Sequence, residues 1–149
     1  MSPVRLSHSG LPVRLQSMKG KAGPGLWLAA AVLGHLVVSL VHGAAHARAQ
    51  VALSGIGRLF VFTVILAGPL AGLALSWPAE RLGAWIVALT LAAAFVFGIV
   101  NHFVLISPDH FSQVDAVWRP AFTITAVLLA ITELLGFGLA IRVVRQRSI

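Results

Sequence analysis

The stretch from Gly34 to His46 reads GHLVVSLVHGAAH and carries three imidazoles, His35, His42 and His46, at steps of seven and then four residues. At about 100° per residue, those steps return all three to within about 20° of one line on a helix. Imidazole nitrogen is a common ligand for transition metals and a proton carrier near neutrality. Three such groups on one stripe of an apolar helix are costly in lipid and need partners.

Candidate partners lie further along the chain, in Asn101-His102 and in Ser107-Pro108-Asp109-His110. His42 and His46, four residues apart, can reach one ion from one helical face. Further ligands would come from His102, Asp109 or His110, with Asn101 as a hydrogen-bond partner behind them. The chain has no cysteine, so a metal here would be held by nitrogen and oxygen alone. Such a set suits a divalent ion of zinc, copper, iron or manganese. A b-type haem between His42 or His46 and His102 is the other cofactor the pattern accommodates. The plain alternative is that these are solvated histidines at helix ends, with Ser-Pro-Asp-His serving only as a helix cap.

A second polar feature lies deeper. Glu133 falls in the middle of the last apolar run, and His35 lies eleven residues before His46. At 1.5 Å per residue both sit near the centre of a bilayer, where an ionisable pair suggests proton-coupled transport. Pro69 falls at a similar depth and frees a backbone carbonyl one turn earlier. Thr123, Thr125 and Thr132 add hydroxyls between the two levels. The plain alternative is one interhelical hydrogen bond, as an accessory subunit would use to fix helix register.

These residues must be positioned by membrane-spanning helices. Of the 149 residues, 58% are hydrophobic and only 10% charged, whereas soluble domains carry about 25% charged residues. Four apolar runs account for the difference, at about 26–45, 59–77, 82–106 and 120–141. The expected fold is therefore all-α, an integral membrane four-helix bundle forming a single domain over residues 26–143. Basic tails flank it at 1–25 and 144–149. Gly68-Pro69 should kink the second span. Ser107, Pro108 and Asp109 have the order of an N-cap, a first-turn proline and a first-turn carboxylate. They predict a short interfacial helix between spans 3 and 4, ending near Trp118. Small residues such as Gly34, Gly43, Gly68, Gly72, Gly98, Gly136 and Gly138 permit close helix approach.

Eight Lys and Arg residues fall in the N-terminal tail, the 77–82 turn and the stretch after residue 141, against three in the other two connectors. Both termini are therefore expected in the cytoplasm, N-in and C-in, as in a bacterial inner-membrane protein. That orientation places His42, His46, His102, Asp109 and His110 at one outer level. The net charge of +7 follows from the tails that flank the spans, not from a nucleic-acid surface. The expected partners are the bilayer and a larger membrane complex or further copies of the chain. Cleavage after Ala47-Arg48-Ala49, were span 1 a signal peptide, would remove the first helix. No nucleophile–base pair, phosphate loop, dinucleotide fingerprint or desaturase histidine box is present, so the reading leans away from an enzyme.

Overall fold

The structure is a computed structural model that describes residues 25–146. The tail expected at 1–25 lies outside the described residues except for Gly25, while the first half of the one expected at 144–149 continues the last helix to Gln146. Four helices make up the fold: α1 (Leu26–Arg48), α2 (Gly55–Leu75), α3 (Glu80–Val104) and α4 (Arg119–Gln146), each long and apolar enough to cross a membrane. There is no strand among the described residues. Helix α4 packs against both α1 and α3, and α2 packs against α3. The seam between α1 and α2 is the least closed side of the bundle.

The helix ends follow local chemistry. Ser54 caps α2, its hydroxyl accepting from the Gly57 amide at 3.0 Å, which starts that helix four residues earlier than its hydropathy suggests. The kink expected at Gly68-Pro69 takes the form of a π-helical segment, Val61–Ala67, directly before the proline. Proline cannot return an amide to the carbonyl four residues back, and that carbonyl, on Ile65, accepts instead from His35 Nε2 at 3.2 Å. A second π segment, Val100–Val104, ends α3 and carries His102. Wide turns of this kind recur where a helix re-aims a functional side chain.

The half of the bundle near Leu28 is a packed apolar core of Leu28, Val32, Leu73, Val87, Leu91 and Ala140. Helices α2 and α3 approach closest there through two glycines. A Cβ on Gly83 would lie 2.4 Å from the Ser76 amide nitrogen and 2.5 Å from the Gly72 carbonyl oxygen. Large apolar side chains such as Leu33, Val37, Leu89 and Leu134 line the outside, as a lipid-facing surface requires.

The interfacial helix expected from Ser107 to Trp118 does not form. The connector holds one three-residue 3-10 turn, Phe111–Gln113. Ser107 caps a turn instead, with its carbonyl accepting from the His110 amide at 2.9 Å. The connector turns inward, burying Asp109, His110 and Val114. The Arg119 guanidinium holds it down by donating to the Val114 carbonyl at 3.0 Å.

Candidate metal centre

Three of the six histidines meet at the end of the bundle opposite the apolar core. Helix α1 supplies His42 and His46 from adjacent turns of one face, and the π segment of α3 supplies His102. All three are buried. His42 Nε2 lies 3.2 Å from His102 Nε2 and 3.1 Å from His46 Nε2. Four tetrahedral donors about 2.0–2.1 Å from one ion would be spaced about 3.3–3.4 Å apart. The two edges at His42 are close to that spacing, and all three ligand atoms lie within 4.8 Å of one another.

The hydrogen bonds behind the cluster decide where the protons sit. Thr125 gives its hydroxyl proton to the backbone of its own helix, at 2.8 Å from the Ala121 carbonyl and 3.0 Å from that of Phe122. With its proton there, the hydroxyl oxygen accepts from His42 Nδ1, 2.8 Å away. His102 Nδ1 faces the Asp109 carbonyl at 3.1 Å, and a carbonyl can only accept, so this nitrogen is also protonated. A neutral imidazole carries one proton. The Nε2 atoms of His42 and His102 therefore present lone pairs to each other across 3.2 Å. Two lone pairs do not bond, so in this arrangement the two nitrogens could share a metal ion or a proton.

Asp109 completes the group. Its Oδ1 is 3.3 Å from His46 Nε2 and 3.4 Å from His102 Nδ1. Both of its carboxylate oxygens are buried without a hydrogen bond. A buried carboxylate in that state needs a neighbouring positive charge. The Phe122 ring, with centroids 5.0, 4.8 and 5.2 Å from those of His42, His46 and His102, packs against all three.

Four of the site residues expected from sequence are thus brought together: His42, His46, His102 and Asp109. His110 is not among them. Its backbone is extended (φ −76°, ψ 134°), so consecutive side chains diverge, and its Nδ1 meets the Ser112 hydroxyl at 2.7 Å. Asn101 is not behind the cluster either; its Nδ2 donates to the Phe97 carbonyl at 2.8 Å. No protein-family model, no characterised protein and no solved structure matches this chain. The centre is therefore read from its own chemistry.

The deeper pair does not form. His35 is held by the Ile65 carbonyl and lies 3.4 Å from the Ser39 hydroxyl, and no hydrogen bond or ion pair joins it to Glu133. Glu133 lines instead a cavity of about 420 Å³ that runs to His42, His46, His102 and Asp109. Phe122 and Arg58 were not foreseen as site residues. Phe122 was legible in principle, three residues before Thr125 on the face that Ala126 and Glu133 continue. Arg58, exposed on α2, lines the cavity and had no sequence signal beyond its charge.

Thr125 gives a direct test of the proton assignment. Thr125→Val removes the acceptor that fixes the His42 tautomer, and zinc affinity should fall about 10- to 100-fold. His110→Ala should leave it unchanged. Competition against a chromophoric chelator measures both, and equal affinities in the two variants would contradict the assignment.

Proposed function

We propose that this chain is a multi-pass membrane protein that binds one divalent transition-metal ion at the outer end of its bundle. His42, His46 and His102 are the nitrogen ligands and Asp109 supplies an oxygen. The reading is carried by the convergence of three buried imidazoles, His42, His46 and His102, whose ligand atoms lie within 4.8 Å of one another, with the Asp109 carboxylate 3.3 Å from His46 Nε2. Three imidazoles and a carboxylate suit zinc, copper, iron or manganese. Three convergent nitrogens favour a single ion over a haem, which takes its axial imidazoles from opposite sides of a plane. The bound ion would supply Lewis acidity or, for copper or iron, one-electron chemistry. The protein's own part is to fix two tautomers through Thr125 and the Asp109 carbonyl and to keep water out with Phe122. The orientation, both termini in the cytoplasm of a bacterial inner membrane, rests on the Lys and Arg asymmetry of the connectors.

Elemental analysis of gently purified protein, followed by cobalt titration of the stripped protein, tests this. About one metal ion per chain is expected, together with visible cobalt bands of the intensity a four-coordinate site gives. Neither metal in the purified protein nor saturable cobalt binding would overturn the proposal.

A further inference from the structure

The cavity beneath the metal centre has no role in the reading above, and Glu133 is its deepest polar group. The Glu133 side chain belongs to a residue only 3% exposed, and it has no hydrogen-bond or ion-pair partner among the described residues. It faces a space of about 420 Å³, within the range of about 300–1,000 Å³ typical of small-molecule sites. The walls between Glu133 and the histidines are apolar, with Ile65, Leu66, Ala94, Phe97 and Leu129 prominent. Between the two polar ends Ser39 is the one polar side chain in the lining, so an ion or a hydrated solute finds few ligands there.

The opening of the cavity points the same way. Leu40 on α1 and Phe62 on α2 both line it, yet they are 59% and 64% exposed. The cavity is therefore open along the loose seam between α1 and α2, where such apolar side chains would face lipid in a membrane-spanning bundle, with Arg58 at its polar end. A ligand arriving by that route comes from the lipid phase.

We propose that the cavity binds a lipid-soluble alcohol or phenol, whose apolar body fills the space and whose hydroxyl pairs with Glu133. A hydroxyl group fits because it can donate to a carboxylate and accept from a carboxylic acid. A ketone or ether oxygen can only accept. The inference does not depend on metal at the histidine cluster.

The test uses the full chain in lipid nanodiscs, with empty nanodiscs correcting for partition. Binding of para-octylphenol is compared with that of its methyl ether, which keeps the apolar body and loses the donor. The phenol should bind at least about tenfold more tightly than the ether, as expected for a buried hydrogen bond to a charged or carboxyl group. Ala130→Phe, one turn from Glu133 on the cavity wall, should abolish saturable binding of both. Glu133→Leu should bind both alike, and Glu133→Gln should keep the preference for the phenol. Equal binding of phenol and ether by the native protein overturns the proposal, as does undiminished phenol binding by folded Ala130→Phe. Metal content measured on the same samples separates the two readings. Phenol preference without metal would remove the metal proposal alone, and metal without phenol preference would remove this one alone.

Discussion

His42→Ala is expected to abolish high-affinity metal binding while leaving a folded bundle. His42 is the middle nitrogen of the cluster, in contact with both His46 Nε2 and His102 Nε2. Neighbours that merely orient a ligand change metal affinity about 10- to 100-fold, so loss of the central ligand should exceed about 100-fold. The fold should survive, because the packed core lies at the other end of α1, around Leu28 and Val32. His102→Ala should behave alike and also release the Asp109 carbonyl from its hydrogen bond. Chelator competition gives the affinities and thermal unfolding in detergent checks the fold. A folded His42→Ala protein that binds zinc within about threefold of the native value would refute the ligand assignment.

Gly83→Ala should be the most destabilising methyl addition among the described glycines. Its new Cβ would fall 2.4 Å from the Ser76 amide nitrogen, 2.5 Å from the Gly72 carbonyl oxygen and 2.6 Å from the Ser76 Cα. All three are backbone atoms, so no side-chain rotation can relieve the conflict and the α2–α3 hairpin must separate. Overpacking costs about 1–3 kcal/mol where side chains can adjust, and about 3 kcal/mol or more is expected here. Gly136→Ala is the control. Its nearest neighbour, at 2.4 Å, is Leu91 Cδ1, the tip of a flexible side chain, so part of the strain can relax. Equal melting temperatures for Gly83→Ala and the native protein would show that the two helices do not depend on this approach.

The sequence made the number and depth of the elements legible, but not their rotation. Hydropathy alone identifies four spans, and helical spacing puts His42 and His46 on one face at one level. His35 and Glu133 show the limit: similar depth suggested a pair, yet pairing also needs the two helices turned toward each other. Pro69 decided that rotation for His35 by offering the Ile65 carbonyl. The 105–118 connector shows a second limit. Ser107-Pro108-Asp109 carries helix-start chemistry, but the Asp109 carbonyl bonds to His102, and this tertiary contact outweighs the local preference. Consecutive side chains then diverge, and which of the buried pair Asp109 and His110 faces the histidine cluster is set by that distant bond. Gly83 stood outside the small residues singled out from sequence because nothing local distinguishes it from the open Gly34 or Gly138.

Asp109 rides on a connector, whereas His42, His46 and His102 ride on helices. With Asp109 as the proposed oxygen ligand, filling the centre and seating the connector would be linked equilibria, each favouring the other by the same factor. A molecule that grips residues 105–118 from outside and lifts them would weaken the hold on the ion without touching a single histidine. One that presses them down would tighten it. The Arg119–Val114 hydrogen bond already biases that balance toward the seated form.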